Sequence, residues 1–319
     1  MRFGIHFSHV QLIAEWAMGL SSPAQFQGTL TSKLKEQFDA GLLAGQALHA
    51  DFTMAQPLAR YTQADHEIWR ALYDQQAAML PGRACDTFLQ GLETLGMARD
   101  HVPDFAELNE RLMRATGWQV VAVPGLVPDE VFFDHLANRR FPASWWMRTP
   151  AQMDYLQEPD CFHDVFGHVP MLINPVFADY MQAYGRGGLK AQKLGALDML
   201  ARLYWYTVEF GLIRTHAGLR IYGAGIVSSK SESIYALDDA RPNRLGFDLR
   251  RIMRTHYRID TFQKTYFVID SFDQLFDATR PDFTPLYAEL RDQREFAAEA
   301  IEDGDRVLHQ GTGQEPALS

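Results

Sequence analysis

Apolar residues recur at helical intervals along the first half of the chain. From Tyr61 they fall three and four apart until Pro81-Gly82, which ends the pattern. A second run, 85–95, places its large apolar residues on one face, and Asp104 stands where the N-cap of a third run is expected. We therefore predict three successive helices over this part of the chain.

Strand-like patterns are few and short. They lie at 118–123, 219–227 and 265–269, where β-branched and aromatic residues cluster. Strands and helices do not alternate in the way that builds a parallel sheet. The expected fold is mainly α (α+β): a single domain of many helices with small, short-stranded sheets.

Three regions of the chain differ in composition. Residues 1–55 contain one predicted helix, at 9–20, followed by a Ser-Ser-Pro break and a stretch rich in Ala, Gly and Gln. We expect 1–55 to be an N-terminal extension that is partly mobile and lies outside the core, and 56–298 to be the catalytic domain. We expect 299–319 to be an acidic, flexible tail, because acidic residues are followed there by Gly and Pro; it also lacks the heptads of a coiled-coil arm.

Charge and cysteine content exclude several classes of protein. The formal net charge is -10, whereas binding to nucleic acid or to an anionic membrane needs clustered Lys and Arg. The two cysteines, Cys85 and Cys161, lie far apart and form no CxxC motif, which is typical of a reducing compartment. A run of about 18 apolar residues, as a membrane span needs, does not occur. We expect a cytoplasmic protein without a nucleic-acid or membrane partner.

Candidate chemistry concentrates in the segment 158–170, which holds His163 and His168. Imidazole is a common ligand of zinc, iron, copper and nickel, although a single buried histidine is more often a hydrogen-bonded core residue. Zinc proteases of the HExxH type place their histidines four apart on one helix face. Here the gap is five, which on a regular α-helix separates the side chains by about 140°. The helix must therefore be distorted, or end near Gly167, if both side chains are to bind one metal ion.

A third ligand is expected on the segment 197–211. Its apolar spacing predicts a helix with Gly211 as C-cap, and Ala201, Trp205 and Glu209 then share one stripe. Glu209 would point into an aromatic-rich interior. A carboxylate in such surroundings needs a metal ion or a cationic partner.

Two explanations are open for a buried Glu209. The first is an ion pair with an arginine such as Arg214 or Arg220. The second is a site of two histidines and one carboxylate, which leaves three coordination positions open and suits Fe(II). A zinc-dependent hydrolase and a non-catalytic helical binding module with packed histidines are further alternatives.

Arg148 is a candidate for binding a substrate carboxylate. It follows Trp145 and Trp146 and precedes a predicted turn at Thr149-Pro150. A guanidinium presented beside aromatic rings is well suited to bind a carboxylate through two parallel hydrogen bonds. An ordinary salt bridge explains the residue equally well.

Four segments resemble, in the same order, the catalytic domain of the pterin-dependent aromatic amino acid hydroxylases. They are 116–126, 158–170, 204–212 and 222–232, and the likeness extends from about residue 61 to about residue 285. The resemblance implies a single catalytic domain of that type, built around an iron site. It also implies two cofactors, Fe(II) and a tetrahydropterin co-substrate.

The resemblance carries site residues over position by position. It implies that iron is bound by His163, His168 and Glu209. It implies that the substrate is bound by Arg148, Trp205, Ser228 and Glu232. It implies that the pterin is bound by Val123, Gly125, Leu126, Asp129, Phe132, Asp164 and Ala201. It also implies that Tyr155 and Tyr204 lie near the metal.

The implied reaction is hydroxylation of an aromatic amino acid with O2. Ile259 aligns where tyrosine hydroxylases carry an acidic residue, which favours phenylalanine as substrate, with tryptophan as the alternative. The expected partners are these small molecules alone. No C-terminal tetramerisation helix is recognised, so we expect a monomer.

Overall fold

The computed structural model describes residues 47–153, 158–259 and 261–313. Residues 1–46, with the helix predicted at 9–20, lie outside the described residues. Within the described ranges the chain is mainly helical with seven short strands. The predicted mainly α (α+β) class is confirmed.

The three helices predicted from apolar spacing are present. They are α1 (Gln63–Met79), α2 (Asp86–Thr94) and α3 (Phe105–Thr116). Asp104 is the N-cap of α3, as its position predicts, and its side chain accepts from the backbone N–H of Ala106 at 2.8 Å.

Short elements make up most of the remaining chain. In order they are β1 (Gln119–Val123), α4 (Asp129–Ala137), β2 (Arg140–Ser144), α5 (Pro175–Leu194), α6 (Leu197–Tyr204), β3 (Leu212–Thr215), β4 (Gly218–Ile221), α7 (Ala224–Val227), α8 (Lys230–Asp238), β5 (Asn243–Gly246), α9 (Leu249–Ile252), β6 (Thr265–Ile269), α10 (Phe272–Thr279), α11 (Thr284–Leu290) and β7 (Val307–His309). Two segments, Phe162–His168 and Trp205–Glu209, are π-helical. Among the described residues, no helix has both the length and the apolarity to cross a membrane.

The strands form two sheets. β1 and β2 pair in parallel and are connected through α4, so the expectation that strands and helices do not alternate in this way is wrong here. The second sheet has the order β4-β3-β6-β5-β7, with parallel strands in the middle and an antiparallel strand at each edge. β1 and β6 lie at the positions predicted for them, 118–123 and 265–269.

The strand predicted at 219–227 is correct only as far as Ile221, and Ala224–Val227 is helical. The chain changes direction at Gly223, where a Cβ atom would overlap the carbonyl oxygen of Glu209. The Gly223 N–H donates to the carbonyl of Gly211 at 3.0 Å. Glycine here allows two backbone segments to touch.

The 20-residue helix α5 supports the second π-helical segment. Its buried face carries Tyr180 and Tyr184. The hydroxyl of Tyr180 lies 3.0 Å from the hydroxyl of Thr207, and the Tyr184 ring lies 5.0 Å from the Tyr204 ring. Two tyrosines of α5 therefore pack against Tyr204 and the segment that follows it to Glu209.

The predicted N-terminal extension differs from the structure at its described end. Met54 is 6% exposed, and its N–H donates to the carbonyl of Ala122 at 3.0 Å. Asp51 pairs with Arg140 at 2.9 Å. Residues 47–55 thus pack against β1 and β2 instead of lying outside the core.

The predicted flexible tail also differs from the structure. β7 pairs antiparallel with β5 at the edge of the second sheet. Asp305 lies 2.9 Å from Arg251, and both side chains are buried. Residues 299–313 are therefore part of the fold, because strand pairing and this ion pair hold them there.

We expect Asp305→Ala to lower the free energy of unfolding by about 3 kcal/mol, because the Arg251 guanidinium is left buried without its carboxylate. Chemical denaturation at neutral pH measures this change. Asp282→Ala, which removes the exposed partner of Lys190, is the control and should cost far less stability. An equal loss in the two variants would contradict a buried, integrated C-terminal segment.

Candidate metal centre and substrate site

His163 and His168 lie on the π-helical segment Phe162–His168. Hydrogen bonds in a π-helix join residues five apart, so side chains with that spacing lie on nearly the same face. The Nε2 atoms of the two histidines are 3.2 Å apart. The predicted distortion is present: the whole segment is π-helical, and the helix does not end at Gly167.

Glu209 stands at the end of the second π-helical segment, Trp205–Glu209, which continues α6. The regular α-helix predicted over this stretch is therefore wrong from Trp205 onward, and Ala201 does not share one α-helical stripe with Glu209. Gly211 is not the C-cap either, since the helix ends at Glu209 and Phe210 is its C-cap.

The three side chains converge in the core. Glu209 Oε1 lies 3.3 Å from His168 Nε2, and Glu209 Oε2 lies 3.7 Å from His163 Nε2. None of the three residues is more than 5% exposed. The convergence predicted from the histidine spacing and the carboxylate is thus observed.

The arginine explanation of Glu209 is wrong. Arg214 pairs with Asp270 at 2.8 Å. Arg220 donates to the backbone carbonyl of Leu219 at 2.8 Å. Both arginines are therefore engaged elsewhere.

The donor set fits a first-row metal ion. The three ligand atoms lie within 4.8 Å of one another, and no other such cluster occurs in the described part of the chain. Ligands at right angles around a metal, each about 2.1 Å from it, lie about 3 Å apart, close to the observed spacings. Within the same described residues, Glu209 Oε1 is buried and has no hydrogen-bond partner. That oxygen is thus left for a cation.

Burial governs the protonation of the three groups. It lowers the pKa of His163 and of His168 to about 3, so both imidazoles are neutral at neutral pH and keep a lone pair for a metal. It raises the pKa of Glu209 to about 7, against the opposing charge effect of His163. A bound cation favours the ionised carboxylate.

Ser228 fixes the tautomer of His163. The Ser228 hydroxyl donates to the carbonyl of Ala224 at 2.7 Å and lies 3.0 Å from His163 Nδ1. Because its one proton is already donated, the hydroxyl accepts from Nδ1–H. His163 Nε2 then carries no proton and faces the other two ligands. Such a partner orients the ring of a metal-binding histidine.

Arg148 forms a buried pair with Asp160. Its Nε and Nη2 each donate to a carboxylate oxygen of Asp160, at 2.8 Å. Asp160 also accepts from the backbone N–H of His163 at 3.1 Å. Burial opposes ionisation, but the Arg148 charge and the N–H donors outweigh it and lower the pKa of Asp160 to about 2. Arg148 therefore forms a buried salt bridge, and this pair attaches the guanidinium to the histidine segment.

The ring of Phe132 connects α4 to the histidines through Tyr204. The ring centroids of Phe132 and Tyr204 are 6.1 Å apart, and those of Tyr204 and His168 are 6.3 Å apart. Asp129 is the first residue of α4, and burial raises its pKa to about 7. Ala201 is buried on α6. These positions of the predicted pterin site therefore lie on elements that meet beside His168.

The β1 end of the predicted pterin site is connected to the histidine segment by hydrogen bonds. Val123, the last residue of β1, pairs with Ser144. The Ser144 N–H donates to Asp164 at 2.7 Å, and burial raises the pKa of Asp164 well above its ordinary value. Gly125 and Leu126 follow in the loop that leads to α4.

Trp205 and Glu232 both contact Gln263. The Trp205 Nε1–H donates to Gln263 Oε1 at 2.8 Å. Glu232 accepts from the Tyr266 hydroxyl and from the Gln263 backbone N–H, and burial raises the pKa of Glu232 to about 7. Tyr155 lies outside the described residues.

Three residues of this site were not singled out from the sequence: Asp160, Gln263 and Tyr266. Asp160 had a signal, since a carboxylate stands three residues before a candidate ligand. Gln263 and Tyr266 had none, because their partners lie 58 and 34 residues away along the chain.

The model of the biopterin-dependent aromatic amino acid hydroxylases matches residues 38–288. The chain therefore belongs to that family. The resemblance seen in the four sequence motifs is confirmed.

The relatives include bacterial enzymes. The chain is 77% identical over 291 residues to the phenylalanine-4-hydroxylase of Ralstonia nicotianae, covering 91% of this chain and 93% of that protein. It is 69% identical over 264 residues to the phenylalanine-4-hydroxylase of Chromobacterium violaceum, covering 83% and 89%. A crystal structure of the C. violaceum enzyme with iron and phenylalanine bound matches with a TM-score of 0.80 and 67% identity, covering 83% of this chain and 97% of that chain.

Ser228→Ala is expected to weaken metal binding about 10- to 100-fold, because His163 loses the acceptor that fixes its tautomer. Competition between the protein and a chelator for Fe(II) or Co(II) measures this affinity. Ser231→Ala, at an exposed serine of α8, is the matched control and should bind as wild type does. Unchanged affinity in Ser228→Ala would show that the serine does not orient the ligand.

Proposed function

We propose that this chain is a phenylalanine 4-monooxygenase, which converts L-phenylalanine to L-tyrosine with O2 and a tetrahydropterin. The observation that carries the proposal is the buried cluster of His163, His168 and Glu209 in a member of this family. Two histidines and one carboxylate leave three coordination positions open. Such an open site is typical of Fe(II), whereas the sites of structural zinc are closed and tetrahedral. The names of the bacterial relatives point to the same substrate.

His163, His168 and Glu209 would hold the iron. Together, bound iron and the reduced pterin supply the activation of O2. The protein's own part is to bind, orient and exclude water. Neutral imidazoles, kept so by burial, contribute lone pairs without competing protons.

Arg148 would bind the substrate carboxylate. Asp160 holds its guanidinium from one side, so the fork is fixed before substrate arrives. Ser228 and Glu232 are the other polar groups proposed on the substrate side, and Trp205 is proposed as the apolar wall. Fixing both ends of the substrate determines which ring atom faces the metal.

The pterin would lie against the Phe132 ring. The remaining positions proposed for it are Val123, Gly125, Leu126, Asp129, Asp164 and Ala201. Support comes from the contacts that connect α4, β1 and α6 to the histidine segment. Tyr204, and Tyr155 outside the described residues, are proposed beside the metal.

Substrate choice is proposed to favour phenylalanine over tryptophan. Ile259 is a partly buried apolar residue that packs on the core. The side chain at this position therefore presents no charge to the aromatic ring of a substrate. We also propose a monomer in the cytoplasm whose partners are these small molecules. Cys85 and Cys161 are free buried thiols, in keeping with a reducing compartment.

Protein loaded anaerobically with Fe(II) is expected to form tyrosine when tetrahydropterin, O2 and phenylalanine are added. Glu209→Ala should lose both bound iron and tyrosine formation, because one of three ligands is removed. Metal analysis and product chromatography measure the two effects. Glu110→Ala, at an exposed glutamate of α3, is the control. Zinc-dependent peptide or ester hydrolysis, without tyrosine formation, would contradict the proposed function.

Arg148→Lys is expected to raise the KM for phenylalanine about 10- to 100-fold while iron is retained, because lysine keeps the charge beside Asp160 but loses the planar fork. Steady-state kinetics and metal analysis measure both quantities. Arg139→Lys, at a partly exposed Arg–Asp pair with Asp179, is the matched control. An unchanged KM in Arg148→Lys would refute the proposed role.

A further inference from the structure

Trp205 is held in one orientation by contacts on every side. Its ring lies 4.5 Å from the Phe210 ring and 4.5 Å from the Tyr257 ring, centroid to centroid, and it is stacked on Tyr257. These ring contacts orient the plane of the indole. The hydrogen bond from Nε1 to Gln263 Oε1, at 2.8 Å, fixes its position within that plane.

Gln263 uses three polar groups at once. Its Oε1 accepts from Trp205, its Nε2 donates to the carbonyl of Arg258 at 2.9 Å, and its backbone N–H donates to the carboxylate of Glu232. The residue is 1% exposed, so water does not replace a lost partner easily. The side-chain amide supplies an acceptor and a donor on one planar group.

The three partners of Gln263 come from separate parts of the chain. Trp205 belongs to the π-helical segment of the metal site, and Glu232 belongs to α8. Arg258 lies next to Ile259, the position that bears on substrate choice. The side-chain amide of Gln263 therefore joins the proposed substrate wall to the segment at Ile259, and its backbone N–H joins both to Glu232.

We propose that Gln263 is a positioning residue for substrate: it sets the place of the Trp205 indole relative to Glu232 and so the discrimination between aromatic side chains. This inference rests on the proposed function, in which Trp205 and Glu232 line the substrate site. Gln263 acts through these residues and does not itself touch the substrate. Loss of the amide frees the indole to shift, and a pocket wall that shifts accepts a larger ring.

The test uses Gln263→Met in the full-length, iron-loaded protein, since methionine keeps the length of the side chain and removes its donor and strong acceptor. Calorimetry measures the Kd of L-phenylalanine and of L-tryptophan. We expect phenylalanine to bind about two- to tenfold more weakly, because binding must then immobilise the freed indole, and the ratio of the two Kd values to move toward one. Asn243→Leu is the matched control, because this buried amide also donates and accepts but contacts Thr265, Glu299 and Gly311.

A double-mutant cycle with Trp205→Phe separates positioning from general destabilisation. If Gln263 acts through the indole, Gln263→Met adds little to the Kd change already present in Trp205→Phe. A full additional effect in that background would overturn the proposal, as would a Gln263→Met protein that loses thermal stability like Asn243→Leu but keeps the wild-type Kd ratio.

Gln263→Glu covers the case in which the methionine variant does not fold. The carboxyl keeps an acceptor for the indole, and burial favours its neutral form, which also donates. Its Kd for phenylalanine should lie near the wild-type value. A folded Gln263→Glu protein whose Kd ratio moves toward one would overturn the proposal, and so would a folded Gln263→Met protein that keeps the wild-type Kd ratio. A wild-type protein that binds both amino acids but forms no tyrosine would instead refute the proposed function, and the Kd ratios would still test Gln263.

Discussion

The carboxylate of Glu209 lies in the core, 3.3 Å and 3.7 Å from two imidazole nitrogens, and most other features of the site follow from the need to hold it there. An isolated buried carboxylate is costly unless it is neutralised, paired or bound to metal. Burial alone already raises the pKa of Glu209 to about 7 and lowers that of each histidine to about 3. Both imidazoles are therefore neutral at neutral pH, and a bound cation would favour the ionised carboxylate.

Two π-helical segments provide the geometry for this cluster. A regular α-helix would turn His163 and His168 apart, whereas the π-helical winding brings their Nε2 atoms to 3.2 Å. The second segment ends at Glu209, where Gly211 and Gly223 allow the backbone of the following turn to pass close by. Such windings are rare and frequently occur at functional sites, so they support this site independently of the side chains.

Asp160 couples the metal site to the proposed substrate site. One carboxylate accepts from the Arg148 guanidinium and from the backbone N–H of His163. A displacement of the histidine segment is thus transmitted to the arginine. Because the pKa of Asp160 is lowered to about 2, the pair stays charged through the neutral range, and this coupling does not change with pH there.

The local parts of the fold could be predicted from the sequence. α1 to α3 follow from apolar spacing and the cap at Asp104, and β1 and β6 follow from their β-branched residues. The gap of five predicted a distortion at the two histidines, but the π-helical winding of Trp205–Glu209 could not be predicted, because apolar spacing in the segment 197–211 fits an α-helix about as well. The integration of Asp51, Met54 and β7 was also missed, since these contacts join residues distant in sequence.

In the candidate site, too, local features could be predicted from the sequence and contacts between distant segments could not. The spacing and surroundings of the histidines indicated a metal, but Glu209 was separated from an arginine partner only by family resemblance and then by the structure. Hydrogen-bond partners such as Asp160 and Gln263 depend on where distant segments meet. Gly223 illustrates the cause: the turn that it permits carries the chain into α7, at whose end Ser228 reaches His163 Nδ1. The tautomer of a metal ligand thus depends on a glycine 60 residues away, a relation that local patterns in the chain do not contain.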